Sequence, residues 1–71
     1  MQVELYTRQG CHLCDDADRL LRSCGLDPVL IDIDQRPELL SKYTNCVPVV
    51  VIDGKVRFRG RIDRRLLERL L

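Results

Sequence analysis

Hydrophobic and polar residues alternate along this chain in two different rhythms. Strict alternation, as in Val3 and Leu5 on either side of Glu4, predicts a half-buried strand, whereas apolar residues three and four positions apart predict one face of a helix. The order is β-α-β-α-β-β-α. The predicted elements are strand 2–7, helix 13–24, strand 29–33, a short helix from 37, strand 49–52, a return strand around 56–58 and helix 61–71.

Glycine and proline punctuate these elements. We expect Gly25 to end the first helix as the residue just past its cap, and Pro37 to lie in the first turn of the second. Asp53-Gly54 is typical of a tight hairpin turn, so the last two strands should be antiparallel. The first β-α-β unit should be parallel and right-handed.

The same patterns predict which side chains face the core. Strand 29–33 is continuous and rich in β-branched residues, which predicts a buried strand. Val56 and Phe58 alternate with arginines on the return strand. The expected inward residues of the first and last helices are Leu13, Ala17, Leu20, Leu21 and Cys24, and Ile62, Leu66, Leu67 and Leu70.

Size and charge narrow the class of protein. The chain has 71 residues, and we expect residues 1–71 to form one small domain. Twelve basic and eleven acidic residues give a net charge of +1, which argues against a nucleic-acid or membrane footprint built on bulk charge. No secretion signal or apolar run of about 20 residues is visible, so we expect a cytoplasmic protein.

Basic residues cluster late in the chain. We interpret them as the solvated face of a hairpin and helix, with a surface for an anionic ligand or partner as the alternative. They are Lys55, Arg57, Arg59, Arg61, Arg64, Arg65 and Arg69.

Cys11 and Cys14 carry the clearest chemistry, because a C-x-x-C pair beside a β-α-β pattern predicts a thioredoxin-like redox motif. Cys11 falls at the start of the first helix, where unpaired backbone N–H groups and the helix dipole favour a thiolate. Cys14 lies one turn further, more shielded and placed to resolve a mixed disulfide. Arg8 could add positive charge near Cys11, while Asp15 and Asp16 oppose it.

Other interpretations of the four cysteines remain open. The pair could be half of a zinc site completed by His12, Cys24 or Cys46, an inert buried pair, or part of a structural disulfide framework. An intact helix would separate Cys14 from Cys24 by roughly 15 Å. A disulfide requires Cα atoms within about 7 Å, so that pairing is excluded.

Three further side chains are harder to assign. Cys24 continues the apolar stripe and is expected to be a core residue. Cys46 could take no part in the reaction, or it could be a regulatory thiol or a metal ligand, and we favour the first of these. A partial positive charge on His12 would favour the Cys11 thiolate and make the disulfide more oxidising.

Three segments together resemble the glutaredoxin family of the thioredoxin fold. Segment 6–14 resembles the strand, loop and active site of that family, Cys46-Val47-Pro48 its threonine-valine-proline element, and Gly60-Arg61-Ile62-Asp63 its glycine turn before an aspartate. The resemblance implies an α/β fold with a four-stranded mixed sheet of order 2-1-3-4 and helices on both faces. It also implies a cis bond between Val47 and Pro48.

The resemblance further implies a glutathione site across Cys11. Arg8 would face the glycine carboxylate, and Val47 would supply backbone hydrogen bonds beside Pro48. Gly60 would form the adjoining turn, and Asp63 would meet the γ-glutamyl ammonium group.

The chain departs from the family pattern at three places. His12-Leu13 replaces the usual proline-tyrosine, Cys46 replaces the threonine, and Gly60 stands where the family has a glycine pair.

The expected function is that of a dithiol oxidoreductase, monomeric and without a metal. Cys11 would attack a protein disulfide or a glutathionylated protein, and Cys14 would resolve the mixed disulfide. Glutathione or thioredoxin reductase would restore the dithiol. The alternatives are a metal- or iron–sulfur-binding module using Cys11 with glutathione, or Cys11 with Cys14 and Cys46, and a redox-inert interaction domain.

Overall fold

The computed structural model describes residues 1–44 and 46–71. Four strands and three helices appear in the predicted order, and one 3₁₀ turn is added between the second strand and the second helix. The elements are β1 Val3–Thr7, α1 His12–Ser23, β2 Val29–Asp32, the 3₁₀ turn Ile33–Gln35, α2 Pro37–Tyr43, β3 Val49–Ile52, β4 Lys55–Arg59 and α3 Arg64–Leu70.

The strands form one mixed sheet in the order β2-β1-β3-β4. β1 pairs in parallel with β2 and antiparallel with β3, and β3 pairs antiparallel with β4. The mixed four-stranded sheet and its order are as the resemblance implies. Because β1 lies in the middle, the loop that follows it emerges at the centre of one end of the sheet.

Each face of the sheet carries its own hydrophobic core, which confirms helices on both faces. On one face α1 and α3 pack against the strands, and on the other α2 and the 3₁₀ turn do so. The first core comprises Val3, Leu5, Ala17, Leu21, Val50, Ile52, Phe58 and Leu67. The second comprises Ile33, Tyr43, Val49 and Val51.

Gly25 ends α1 as predicted. Its φ of +82° is a left-handed conformation that glycine adopts without a side-chain clash. The Gly25 N–H donates to the carbonyl of Arg22 (3.0 Å), and the Leu26 N–H donates to the carbonyl of Leu21 (3.1 Å). This pair of bonds is a Schellman motif, which satisfies carbonyls that the helix end would leave open.

The hairpin between β3 and β4 turns at Asp53-Gly54, as predicted, with φ of 51° and 82°. Its return strand differs from the expected alternation because the register shifts between Val50 and Val51. Val50 pairs with Phe58 and Val51 pairs with Val56, so Arg57 is the extra residue of a bulge. Val56 and Phe58 therefore lie on opposite faces of the sheet, although they alternate with arginines in the sequence.

The expected burial of strand 29–33 was also wrong. β2 is an edge strand, and Val29 and Leu30 are 56% and 51% exposed. Ile33 is fully buried, but it lies in the 3₁₀ turn rather than in the strand. An edge strand has a neighbour on one side only, so its apolar side chains receive less cover than a central strand would give.

The last helix begins at Arg64, three residues later than predicted, because Asp63 is its N-cap. A shorter helix buries fewer residues. Leu67 is fully buried, whereas Leu66 and Leu70 are 48% and 36% exposed, which corrects their expected inward positions.

Within residues 1–44 and 46–71, no helix combines the length and hydrophobicity needed to cross a membrane.

Candidate active site

Cys11 lies where the loop after β1 turns into α1. Its N–H donates to the carbonyl of Arg8 (3.3 Å) across a turn in which Gly10 has a φ of +75°. That φ suits glycine at the third position of a tight turn. Cys11 is the N-cap of α1, and its Sγ accepts from the backbone N–H of Cys14 at 3.1 Å. The sulfur thus takes the place that a hydroxyl or carboxylate oxygen usually holds at a helix start.

Cys14 is the partner of Cys11. The two residues form a disulfide, with their Cα atoms 5.2 Å apart. Cys11 is half-buried, whereas Cys14 is only 3% exposed and packs on the inner side of α1. Cys11 is therefore partly accessible to solvent, whereas Cys14 is shielded.

The two residues between the cysteines face outward. His12 is exposed, and Leu13 is 49% exposed although the apolar stripe of α1 was expected to include it. Cys14, Ala17 and Leu21 are the buried residues of the helix. The inward stripe therefore begins at Cys14, and Leu13 is left at the surface beside the cysteines.

Arg8 precedes the turn that holds Cys11, and its side chain is already engaged. Its guanidinium forms an ion pair with the carboxylate of Asp34 (Nη2 to Oδ1, 3.0 Å; Nε to Oδ2, 3.4 Å). Nη1 donates to the carbonyl of Thr44 at 3.3 Å. Arg8 therefore joins the active-site loop to the 3₁₀ turn and to the end of α2.

The Val47–Pro48 peptide bond is cis, as the resemblance implies. Pro48 is buried, while Val47 and Cys46 are half-buried and pack against the second core, on the face of the sheet covered by α2. Among residues 1–44 and 46–71, neither the N–H nor the carbonyl of Val47 has a backbone hydrogen-bond partner outside helices and strands. Such free backbone groups can pair with an extended peptide.

Gly60 ties this segment to the turn before α3. Its N–H donates to two carbonyls, those of Cys46 (3.0 Å) and Pro48 (2.7 Å). Its φ of +79°, with a bond from the N–H of Arg61 to the carbonyl of Arg59 (2.9 Å), makes a γ-turn that favours glycine.

Asp63 lies just beyond this turn and caps α3. Its Oδ1 accepts from the N–H groups of Arg65 (2.9 Å) and Leu66 (3.3 Å). Within the part of the chain that the structure describes, Oδ2 of this exposed carboxylate has no hydrogen-bond partner. The residue therefore has a structural role and a free oxygen.

A cleft of about 290 Å³ lies between α1 and the turn before α3, and it reaches Leu13 at its end nearest the cysteines. Leu13 of segment 6–14 and Arg61 and Ile62 of segment 60–63 both contribute to its walls. Its lining residues are Leu13, Asp16, Ala17, Leu20, Arg61 and Ile62.

Cys24 and Cys46 are free thiols, separate from the pair and from each other. Cys24 packs against the core under α1 and α3, and Cys46 packs against the core under α2. Among residues 1–44 and 46–71, no group of three or more His, Cys, Asp or Glu side chains is arranged to hold a metal ion.

Residues 2–71 match the family described as glutaredoxin-like domain (DUF836). The chain belongs to this glutaredoxin-like family. A glutaredoxin-like protein of Dictyostelium discoideum is 29% identical over 89% of this chain and 68% of its own. An uncharacterized protein of Mycobacterium tuberculosis is 32% identical over 93% of this chain and 77% of its own.

Solved structures share the glutaredoxin-like fold. A protein of Nitrosomonas europaea superposes with a TM-score of 0.84 at 28% identity, covering 99% of this chain and 89% of that one. NrdH-redoxin of Escherichia coli, a glutaredoxin-like protein described as having a thioredoxin-like activity profile, gives a TM-score of 0.76 at 27% identity, covering 100% and 96%.

The sequence-predicted residues of this glutaredoxin-like chain therefore lie in three linked segments. Sequence reasoning missed Asp34, the partner of Arg8, because the two are 26 positions apart and no local pattern pairs them. It also missed the cleft, because the cleft is lined by residues of α1 and of the turn before α3, two segments that are distant in sequence.

Proposed function

We propose that this glutaredoxin-like protein is a dithiol oxidoreductase that reduces protein disulfides or glutathione mixed disulfides. The observation that carries the proposal is the position of the pair at the start of α1. Cys11 is accessible and accepts a backbone N–H, and Cys14 is buried within disulfide reach. An accessible nucleophile with a shielded resolving thiol is the arrangement that thiol–disulfide exchange requires.

The reaction begins with the reduced pair. The Cys11 thiolate attacks one sulfur of the substrate disulfide, forming a mixed disulfide and releasing the other substrate sulfur as a thiolate that takes up a proton. Cys14 then loses its proton and attacks the Cys11 sulfur. The second substrate thiol leaves, and the Cys11–Cys14 disulfide remains. Two electrons have passed from the protein to the substrate, and the two protons that the substrate thiols take up come from Cys14 and from solvent.

The start of α1 supports the first step. Unpaired N–H groups in the first turn and the helix dipole favour the thiolate of Cys11 over its thiol. The N–H of Cys14 points at the same sulfur. Asp15 in the first turn opposes this effect with a negative charge.

The Val47 backbone and the Asp63 carboxylate support a glutathione site, since both offer free hydrogen-bonding groups. Val47 would pair with the backbone of the bound peptide beside Pro48, with Gly60 shaping the turn. The Asp63 carboxylate would meet an ammonium group, and Arg8 a carboxylate that competes with Asp34 for its guanidinium. We place the reaction in the cytoplasm, with a monomer acting on protein disulfides or glutathionylated proteins.

Thioredoxin reductase is the alternative source of electrons. The activity profile described for NrdH-redoxin supports this alternative. In both cases the donor reduces the Cys11–Cys14 disulfide to two thiols.

Cysteine substitutions test the proposal. Cys11→Ser should abolish turnover with every disulfide substrate, because Cys14, the remaining thiol of the pair, is buried and cannot reach a substrate. Cys14→Ser should retain deglutathionylation but lose the reduction of protein disulfides, since only the second reaction needs a resolving thiol. Cys24→Ser and Cys46→Ser are matched controls that remove free thiols outside the pair. Full activity in Cys11→Ser would overturn the proposal.

The electron donor is identified by following NADPH oxidation in two parallel assays. One contains glutathione and glutathione reductase, and the other contains thioredoxin reductase. If NADPH is oxidised in only one of the two assays, the reductant in that assay is the electron donor.

A further inference from the structure

The side chain of Arg8 forms an ion pair with a carboxylate of the protein itself, that of Asp34. Asp34 approaches the guanidinium with both carboxylate oxygens, at 3.0 and 3.4 Å, and the carbonyl of Thr44 takes a third N–H at 3.3 Å. Three of the five N–H donors of the arginine therefore have partners within the protein. The side chains of Arg8 and Asp34 are 36% and 35% exposed, so an incoming ligand can still reach the pair.

Asp34 is fixed in place by its own surroundings. Its backbone N–H donates to Oδ1 of Asp32 at 2.9 Å, which caps the 3₁₀ turn. Ile33, the residue between Asp32 and Asp34, is fully buried in the second core, on the face of the sheet covered by α2. The cap and the burial of Ile33 therefore hold the 3₁₀ turn in place, and with it the Asp34 carboxylate that faces Arg8.

Arg8 is also directly connected to the nucleophile. Its carbonyl accepts the N–H of Cys11 at 3.3 Å, so the residue lies at the base of the active-site turn. A thiol reactant that carries a carboxylate would be attracted to this guanidinium. Asp34 already neutralises it, and a second carboxylate would be repelled by the first.

We propose that Asp34 is a specificity residue that disfavours carboxylate-bearing thiols, glutathione among them, as reactants at Cys11. This inference rests on the proposed function and deepens it. The ion pair lowers the attraction for an anionic thiol while leaving thiols without a carboxylate unaffected. Because the pair is partly exposed, salt should weaken the effect.

The first test measures binding without chemistry. The oxidised wild-type protein and Asp34→Asn are titrated with S-methylglutathione, which cannot exchange disulfides, and NMR shifts give the Kd at low and high salt. We expect Asp34→Asn to bind about threefold to fivefold more tightly at low salt, the range of an exposed ion pair. The gain should shrink at high salt.

The second test measures the rate at which a thiol reduces the Cys11–Cys14 disulfide. Two thiols are compared, glutathione and its diethyl ester, in which both carboxylates are esterified. Asp34→Asn should accelerate reduction by glutathione about threefold to fivefold and leave reduction by the ester nearly unchanged. A double variant, Asp34→Asn with Arg8→Gln, should lose the gain because the guanidinium is gone.

The matched control is Asp27→Asn, which makes the same change in charge at a carboxylate that is 95% exposed and pairs with Arg22 at 3.3 Å. An equal gain in this variant would mean that net charge alone acts, which would overturn the proposal. Unchanged binding and rates in Asp34→Asn would also overturn it, and Asp34→Ser repeats the test if the asparagine variant is unstable.

The two proposals fail in different ways. If wild-type protein is not reduced by dithiothreitol at all, the proposed function is wrong, whereas the S-methylglutathione titration still decides the role of Asp34.

Discussion

Asp63 offers a test that separates a structural role from a binding role. Oδ1 of its carboxylate caps α3 through the N–H groups of Arg65 and Leu66, at 2.9 and 3.3 Å. Its carbonyl accepts the N–H of Leu67, which is fully buried between the sheet and α3. Asp63→Ala would remove the cap and any ligand contact together. Asp63→Asn would keep an oxygen for the cap and remove only the charge.

The magnitudes follow from the cap. Replacing an N-cap aspartate by alanine costs about 1 kcal/mol, whereas asparagine caps about as well as aspartate. In a domain of this size, 1 kcal/mol lowers the Tm by roughly 4–8 °C. We therefore expect Asp63→Ala to lose several degrees and Asp63→Asn to remain near the wild type. If the carboxylate meets an ammonium group, both variants should bind S-methylglutathione about threefold to fivefold more weakly.

The assays are thermal unfolding followed by circular dichroism, and the NMR titration described above. Equal destabilisation of Asp63→Ala and Asp63→Asn would refute the reasoning about the cap. Unchanged affinity in Asp63→Asn would show that Asp63 serves α3 alone and takes no part in binding.

Three further substitutions test the packing and the electrostatics of the fold. Leu67→Ala should lower the free energy of unfolding by about 2–5 kcal/mol in urea denaturation, whereas Leu66→Ala, its 48% exposed neighbour, should change it by about 0.5 kcal/mol or less. Burial, with Glu4 adding to it, raises the pKa of Tyr6 above its ordinary 10.0. The stability that neutral Tyr6 contributes is present below pH 10 and is lost as the pH rises through the folded-state pKa. Stability measured at pH 8 and pH 11 should therefore differ less in Tyr6→Phe, and an unchanged difference would contradict the assignment.

Local signals predicted the parts of the fold that local physics decides. Gly25 and Asp53-Gly54 need backbone conformations with positive φ, which few residues adopt readily, so their positions fixed a helix end and a hairpin turn. The spacing of Cys11 and Cys14 likewise indicated a pair at a helix start.

Features that depend on neighbours distant in sequence could not be predicted in this way. Val29 and Leu30 have a strand-like composition, but their exposure follows from the position of β2 at the sheet edge. The bulge at Arg57 reverses the side of Val56 without changing the sequence alternation. The ion pair of Arg8 depends on how the 3₁₀ turn packs against the loop after β1. Such a contact leaves no periodic trace in the chain.

The shared hydrogen bonds of Gly60 have a practical consequence. Its single N–H is held by carbonyls on both sides of Val47, so this proton can exchange with deuterium only when both bonds open together. The Gly60 amide is therefore an internal reporter of how often segment 46–48, which precedes β3, separates from the turn before α3. A molecule seated along Val47 should slow its exchange, and one that docks elsewhere on the protein should leave it unchanged.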